Sequence, residues 1–342
     1  MLVNEAKKHL SILLESESVP AVMLWSPPGI GKSSIVSQIA SEKNWAVKDI
    51  RLLLVNPVDL RGVPVPDREK GRARWLSAGF LPHEDEDGTQ GILFLDEITA
   101  APPSVQAAAY QLVLDRRIGE YRLPQGWRVV CAGNRITDRG VAYVMPSPLA
   151  NRMIHIEITC SLEDWKTWAW ANNVHPTVIA FLNFRPDLLY KFPQTAQEFR
   201  GFPTPRSWEF VSKILKMYQS IDDAREVIGG AVGEGPAVEF CAFARVAENL
   251  PDIEDILEKG ETPVVGSAPD VLYALSAALV RKITEKPNQK RAENFIKFIE
   301  TLPVEFQALS VKDAMKSPKC IGVFSRLPAY SEWADKNKDI II

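Results

Sequence analysis

The sequence has few of the residues that build metal centres and disulfide frameworks. Its 342 residues include 4 cysteines and 4 histidines. The cysteines form no C-x-x-C pair and lie far apart in the chain, at Cys131, Cys160, Cys241 and Cys320. Zinc sites need ligands at short spacings, so these residues argue against a zinc site. Few and unpatterned cysteines in a chain of this length are typical of a reducing compartment.

Long hydrophobic runs are also missing. The longest apolar stretch, Val271 to Val280, covers about half of a bilayer span. Residues 1–18 place charged side chains among their leucines, where a signal peptide would have an uninterrupted apolar core. We therefore expect no membrane span and a cytoplasmic location.

Neither sign of charge is in large excess. The 40 lysines and arginines against 43 aspartates and glutamates leave a net charge of −3. A protein whose main task is to coat nucleic acid needs a clear cationic excess, so the balance argues against that class. Apolar residues make up 46% of the chain, which excludes a disordered chain. The length suggests about two domains.

Apolar strands alternate with helices in the first half of the chain. The predicted strands cover residues 21–25, 47–55, 92–95, 129–132 and 153–158. Helices are predicted over residues 1–19, 32–42 and 103–115, with a hairpin near 119–126. This alternation is typical of a parallel sheet covered on both faces.

The composition changes near residue 159, after which only helical periodicity remains. We predict an α/β domain over residues 1–158 and an all-helical domain over 159–342. Residues 56–90 are rich in proline, glycine and charge, and they are too long for a plain connection between core elements. We interpret them as an inserted functional loop or a lid.

A glycine-rich turn follows the first strand and opens a helix. Backbone amides in such a turn converge on an anion at the helix N-terminus, which predicts a phosphate-binding loop. The candidate nucleotide-binding residues are Pro28, Gly29, Ile30, Gly31, Lys32, Ser33 and Ser34. In that interpretation Lys32 reaches the β- and γ-phosphates and the Ser33 hydroxyl binds Mg²⁺. The strict pattern has glycine where this chain has Ser26; the alternative interpretation is a chance glycine-rich turn.

An apolar strand ends at Asp96-Glu97, 64 residues after Lys32. Asp96 supplies a carboxylate for the Mg²⁺ shell, and Glu97 supplies a second carboxylate to polarise the attacking water. Acidic residues at a helix start are a common alternative explanation of such a pair. Taken together, the two motifs predict an ATP or GTP site with Mg²⁺, and the residues themselves do not separate the two nucleotides.

Three further residues divide the classes of nucleoside triphosphatase. Asn134 follows the apolar strand 129–132, either as a turn residue or as a side chain directed into the site. Arg152 precedes the last strand, either in a structural ion pair or as an arginine presented to a neighbouring subunit, worth about 10³–10⁵ in rate. Arg206 begins a helix, where a cation opposes the helix dipole and therefore serves something other than helix stability.

These segments together resemble the AAA+ ATPases, a branch of the P-loop nucleoside triphosphatases. The matching segments are 26–33 (SPPGIGKS), 94–97 (FLDE), 131–134 (CAGN), 149–152 (LANR) and 204–206 (TPR). Others resemble the MoxR branch in particular, namely 56–62 (NPVDLRG), 112–117 (LVLDRR) and 119–121 (GEY). The resemblance covers about residues 1–210 well and the helical remainder only in outline.

The resemblance implies an α/β AAA+ core followed by an all-helical lid domain. It makes Lys32 and Ser33 the Walker A residues, and Asp96 and Glu97 the Walker B residues. Asn134 is then sensor 1, Arg152 the arginine finger and Arg206 sensor 2, acting on its own nucleotide or on a neighbour's.

The resemblance also implies a function: a homo-oligomeric ring, usually hexameric, that uses ATP to remodel another protein or to install a cofactor. Members of this branch are often paired with von Willebrand factor A domain proteins. Residues 56–90 lie where the branch carries an element directed towards the ring pore. Their segment 71–75 places two cations beside an aromatic residue, a tip that could grip a polypeptide or stack on a base, or that could be an ordinary loop.

Three alternatives remain open at this point. A nucleic-acid motor of the same superfamily would need a cationic track, against which the near-neutral charge argues. A monomeric P-loop switch or kinase would make Asn134, Arg152 and Arg206 coincidences. A structural ring that binds ATP without hydrolysing it would have no need of Glu97.

Overall fold

A computed structural model describes residues 1–135, 138, 142–193 and 201–338. The chain divides into two compact units, Met1–Ser161 and Leu162–Ile342. The strands of the sheets lie in the first unit, and the described part of the second unit is helical.

A five-stranded parallel sheet forms the centre of the first unit. The five strands are β1 (Val22–Trp25), β2 (Ala46–Arg51), β5 (Gly91–Asp96), β8 (Trp127–Gly133) and β9 (Ile154–Glu157). Their spatial order is β2-β5-β8-β1-β9, with every neighbouring pair parallel. Strands β5 and β8 are buried along almost their whole length, as expected for a sheet covered on both faces. The predicted α/β class is therefore confirmed.

Helices and hairpins fill the connections between these strands. The helices of the unit are α1 (Val3–Glu15), α2 (Lys32–Lys43), α3 (Pro57–Arg61), α4 (Glu84–Asp87), α5 (Pro103–Asp115) and α6 (Ser147–Ala150). The hairpins are β3 (Val63–Asp67) with β4 (Arg72–Leu76), and β6 (Arg117–Ile118) with β7 (Tyr121–Arg122). Helix α5 buries Val105, Ala109 and Leu112 in the same apolar cluster as Leu93 and Leu95 of β5.

The structure differs from the sequence-based expectation between residues 47 and 90. Strand β2 ends at Arg51 and a 3₁₀ turn, Leu52–Leu54, follows. Leu52 is buried whereas Leu53 and Leu54 are both exposed, so burial does not alternate here as it would in a strand with one buried face. The segment 56–90 is also not irregular, since it contains α3, the β3–β4 hairpin and α4. A capping box between Asn56 and Asp59 starts α3.

The second unit is built from helices that share an apolar core. The described helices are α7 (Leu162–Ala171), α8 (Pro176–Phe184), α9 (Pro205–Leu215), α10 (Ile221–Val232), α11 (Glu234–Glu248), α12 (Ile253–Lys259), α13 (Pro269–Glu285), α14 (Gln289–Ile299), α15 (Val304–Ala314), α16 (Pro318–Phe324) and α17 (Pro328–Lys336). Phe295, Phe298 and Phe324 are buried in the core formed by the later helices. No helix within the described ranges is long and apolar enough to cross a membrane.

A buried ion pair crosses the second unit. Lys166 of α7 and Asp313 of α15 are 0% and 3% exposed, and Lys166 Nζ lies 2.8 Å from Asp313 Oδ1. Lys316 also lies 3.2 Å from the same carboxylate oxygen. Because charges cost free energy to bury unless they are paired, removing Lys166 or Asp313 alone would leave a buried charge without its close partner.

Candidate functional site

The carboxyl ends of three neighbouring strands meet at one edge of the sheet. Strand β8 lies between β1 and β5, so the residues after β8 lie between those that follow the other two strands. The glycine-rich loop follows β1, Asp96 ends β5, and Asn134 follows β8. This edge of an open α/β sheet is where ligands bind.

The loop between β1 and α2 has the backbone geometry of an anion cradle. Gly29 and Gly31 have φ of 80° and 110°, values that residues with a β-carbon rarely adopt. Helix α2 begins at Lys32 with no side-chain cap and no acidic residue in its first turn. Its first backbone N–H groups are therefore left to an external acceptor, and the helix dipole favours a negative one.

The side chain of Lys32 lies across this loop and reaches the neighbouring strand end. Its Nζ donates to the carbonyl oxygen of Ser26 at 2.8 Å, to Ser26 Oγ at 3.2 Å and to Asn134 Oδ1 at 2.9 Å. Ser26 is fully buried. The residue that departs from the strict glycine pattern thus contributes an extra acceptor for Lys32.

Ser33 and Asp96 lie within hydrogen-bonding distance of each other. Ser33 Oγ donates to Asp96 Oδ2 at 3.2 Å, and Asp96 Oδ1 accepts the backbone N–H of Glu97 at 2.9 Å. A hydroxyl and a carboxylate at one end of the loop are the oxygen ligands that Mg²⁺ prefers, so the residues present fit Mg²⁺ together with a nucleotide phosphate. Partial desolvation, and after it the charge of Asp96, raises the pKa of Asp49 on β2.

Glu97 has an unusual backbone conformation. Its φ is 57°, in the left-handed region that costs a residue with a β-carbon roughly 1–2 kcal/mol. The backbone is held there because Ile98 N–H donates to the carbonyl oxygen of Ala132 on β8 at 3.0 Å. Its carboxylate makes no hydrogen bond or ion pair with any residue that the structure describes. A strained backbone at a strand end, in a residue whose own carboxylate is unpaired among the described residues, points to a functional site.

Thr99 holds Asn134, and no motif in the sequence identified it. Its Oγ1 donates to the carbonyl oxygen of Asn134 and accepts the N–H of Asn134, both at 3.1 Å. Thr99 is 2% exposed, and a β-carbon on Gly133 would lie 2.5 Å from its hydroxyl oxygen. The contact joins residues 35 apart, so it is visible only once β5 and β8 are paired.

The two arginines singled out in the sequence lie outside this cluster of contacts. Arg152 follows α6, is exposed, and makes no side-chain hydrogen bond or ion pair to the residues described. Arg206 is the second residue of α9 in the second unit, and it is likewise exposed and unpaired within the described ranges. The structural ion pair considered for Arg152 is not formed with the described residues. The site brings together Lys32, Ser33 and Asp96 with Asn134.

Residues 22–157 match a family model described as the ATPase family associated with various cellular activities (AAA). A comparison with curated proteins finds no match.

Among solved structures, the RuvB Holliday junction branch migration motor of Thermotoga maritima is 21% identical. The match covers 81% of each chain with a TM-score of 0.39. NtrX of Brucella abortus in complex with ADP is 13% identical over 99% of this chain and 68% of its own, with a TM-score of 0.42. At these identities and TM-scores the likenesses carry no argument about function.

Proposed function

We propose that the chain hydrolyses Mg-ATP at a site shared between identical subunits, and the match of residues 22–157 to the AAA ATPase family model supports this proposal. The observation that carries this proposal is the convergence of Lys32, Ser33, Asp96 and Asn134 at one sheet edge. Beside them lies Glu97, whose carboxylate has no partner among the described residues. These are the parts that phosphoryl transfer needs: a phosphate cradle, Mg²⁺ ligands and groups that hold water.

Each residue of the candidate site has a definite task in this proposal. The N–H groups of residues 28–34 and the Lys32 ammonium bind the phosphates, and Ser33 and Asp96 hold Mg²⁺. When bound, Mg²⁺ neutralises charge on the phosphate oxygens. Glu97 accepts a proton from water or orients it, since its carboxylate has no partner among the described residues. Asn134 holds that water through its amide, whose position Thr99 sets through the backbone.

An arginine from a neighbouring subunit completes the site. Arg152 is exposed and unpaired within the described ranges, which suits a cation that meets its anion only when a second subunit is present. Such an arginine neutralises the charge that develops on transfer. Arg206 is the second cation that we propose acts on the nucleotide, and it belongs to the second unit. We propose that this unit is an all-helical lid over residues 159–342, which follows a nucleotide-binding domain over residues 1–158.

The biological task that we propose follows from the segments that resemble the MoxR branch. The protein assembles as a ring, hexameric in the usual form of that branch. It uses ATP to remodel a client protein or to install a cofactor in it, with a von Willebrand factor A domain protein as the expected partner.

Turnover by two variants tests the hydrolytic assignment. Glu97→Gln is expected to bind ATP and to lose turnover by about 10²-fold or more, because the amide cannot accept a proton from water. Arg152→Ala is expected to bind ATP normally and to hydrolyse it about 10³-fold more slowly. Wild-type turnover in either variant would refute the role of that residue.

Mixing the two inactive variants tests whether the site is shared. An interface that takes Glu97 from one variant and Arg152 from the other is complete, so random mixing at equal amounts restores about one quarter of the sites. Each variant alone is the control, and specific activity of the wild type should rise with protein concentration until the ring is assembled. Mixed rings that stay inactive would show that Arg152 does not act in trans.

A further inference from the structure

Two hairpins of the first unit lie against each other. Glu120, in the turn of β6–β7, accepts the backbone N–H of Trp75 on β4 through Oε2 at 3.3 Å. A β-carbon on Gly119 of the same turn would lie 3.8 Å from the carbonyl oxygen of Arg61, just before β3. The hairpins β3–β4 (63–76) and β6–β7 (117–122) therefore form one continuous surface, called the hairpin surface below.

Prolines determine which side chains share a face of β3–β4. Pro64 is paired with Trp75 and Pro66 with Ala73. Proline has no N–H, so these are the non-hydrogen-bonded pairs, and their side chains share one face. The other face carries the alternating residues Val63, Val65, Asp67, Arg72, Arg74 and Leu76. The sequence-based idea that Trp75 stands beside the two arginines is therefore wrong, because strand alternation places it on the opposite face.

The cations of the hairpin surface have no counterions within the described chain. Arg72 and Arg74 are exposed and make no ion pair with the described residues. On β6–β7, Arg117 stands directly opposite Arg122, also without an ion pair to them. Like charges directly opposite in a strand pair are unfavourable. An anionic partner would remove this repulsion.

The local charge is opposite in sign to that of the whole chain. Residues 63–76 contain four cations and two acids, whereas the net charge of the chain is −3. The four cations and two acids give this segment a net charge of +2, and Asp67 Oδ1 accepts the backbone N–H groups of Glu69 and Lys70. The segment therefore has a local positive charge in a chain whose net charge is negative.

Apolar side chains lie beside these cations. On the face that carries Arg72 and Arg74, Val63 is 64% exposed and Leu76 is 47% exposed. An exposed mixture of aliphatic and cationic groups fits a chain that presents both apolar and acidic side chains. Single-stranded nucleic acid instead needs aromatic groups that stack on its bases beside the cations, and Trp75 faces away from them.

Main-chain pairing is not the way in which this surface would bind. The outer edge of β3 lacks N–H donors at Pro64 and Pro66, which blocks the addition of a strand there. On the outer edge of β4, the N–H of Trp75 is already taken by Glu120. Recognition therefore depends on side chains.

We propose that the hairpin surface binds a segment of a client polypeptide in which acidic side chains alternate with apolar ones. The arginines pair with its carboxylates, and Val63 and Leu76 contact its aliphatic side chains. That the bound chain is a client rests on the proposed function, whereas the binding itself needs no ATP hydrolysis.

Peptide binding measured by fluorescence anisotropy tests this proposal. The probe is a labelled 16-residue peptide of alternating Glu and Val, added to the full-length Glu97→Gln protein with Mg-ATP. We expect Arg72→Ala with Arg74→Ala to weaken binding at least about tenfold. Arg117→Ala with Arg122→Ala is expected to weaken it several-fold. Lysines at 72 and 74 should restore much of the binding, since they keep the charge.

Matched controls separate this surface from general charge effects. Lys8→Ala with Lys290→Ala removes two exposed lysines from elsewhere, and is expected to leave binding unchanged. Binding of the peptide should weaken as salt is raised, and peptides with Lys for Glu or Ser for Val should bind at least about tenfold more weakly.

Three outcomes would overturn the proposal. They are unchanged binding by a folded Arg72→Ala, Arg74→Ala variant, equal binding of the Lys peptide, and tighter binding of a 16-nucleotide single-stranded DNA. The anisotropy signal does not require turnover. If the Glu97→Gln protein binds the peptide while the wild-type protein hydrolyses no ATP, the proposed function is refuted and this inference stands.

Discussion

Replacing Thr99 by valine tests how the protein holds Asn134 in place. Valine has nearly the shape of threonine but no hydroxyl group. It therefore removes the hydrogen bond from Thr99 Oγ1 to the Asn134 carbonyl oxygen and the one from the Asn134 N–H to Oγ1, both 3.1 Å long. The site is 2% exposed, so water does not readily replace either bond.

The expected loss of stability in Thr99→Val follows from the hydrogen-bonding groups of Asn134 that the substitution leaves unpaired. Each lost hydrogen bond costs about 0.5–1.5 kcal/mol, and an N–H that finds no new partner costs more. We expect Thr99→Val to lower the free energy of unfolding by about 2–3 kcal/mol. Displacement of Asn134 by a fraction of an ångström would lower turnover by roughly ten- to a hundredfold. Thr99→Ser keeps both bonds and loses one methyl group, worth about 1 kcal/mol, so its turnover should stay near that of the wild type.

Steady-state ATP turnover and urea unfolding of the three proteins provide the comparison. Nucleotide affinity should change little, because residues 28–34 are untouched by either substitution. A merely structural role for Thr99 would lower stability in Thr99→Val without separating its turnover from that of Thr99→Ser. Equal turnover of these two variants, measured well below their unfolding temperatures, would refute the assignment of Thr99 as the positioning residue of Asn134.

Three further predictions concern stability. Lys166→Met leaves the carboxylate of Asp313 with Lys316 alone, so the free energy of unfolding in urea should fall by about 2–4 kcal/mol. Adding Asp313→Leu should recover part of this loss. If the losses of the two single variants simply add in the double variant, the buried pair is contradicted. Desolvation lowers the pKa of His175 to about 4, so the unfolded chain binds the extra proton and stability should fall as pH drops from about 6.5 towards 4. The loss of stability should be smaller in His175→Asn. Identical profiles of unfolding free energy against pH for the wild type and this variant would refute the role of His175. Gly62 has a φ of 87°, and in Gly62→Ala the added β-carbon would lie 1.9 Å from a carbonyl oxygen of β4. We therefore expect backbone hydrogen exchange within residues 63–76 to accelerate. Unchanged exchange would refute this expectation.

The glycine-rich loop between β1 and α2 is an example of a feature that local sequence identifies well. An apolar strand, a turn with Gly29 and Gly31, and a helix starting at Lys32 follow from residue order, since each depends on neighbours in the chain. The same holds for the strand that ends at Asp96. What local order could not supply is the pairing of Lys32 with Asn134, because that contact spans 102 residues.

The segment 56–90 shows the opposite case. Proline, glycine and charge predicted an irregular loop, yet a capping box starts α3 and a hairpin pairs Val63 with Leu76. A hairpin of this kind depends on cross-strand pairing and on Glu120, 45 residues from Trp75, so its faces could not be assigned from composition. For that reason Arg72, Arg74 and Trp75 were expected on one side of the segment, whereas the two arginines and the tryptophan lie on opposite faces of the hairpin.

The sequence by itself determined the α/β class, the change to helices near residue 159 and the glycine-rich turn that opens a helix after the first strand, because periodicity and turn chemistry act over a few neighbouring residues. Only the tertiary structure decided which strand lies between which. The order β5-β8-β1 brings Asp96, Asn134 and the loop after β1 to one edge, and the same pairing lets Thr99 hold Asn134. These contacts join residues far apart in the chain, and the free energy that selects them comes from burying the whole sheet rather than from any one segment.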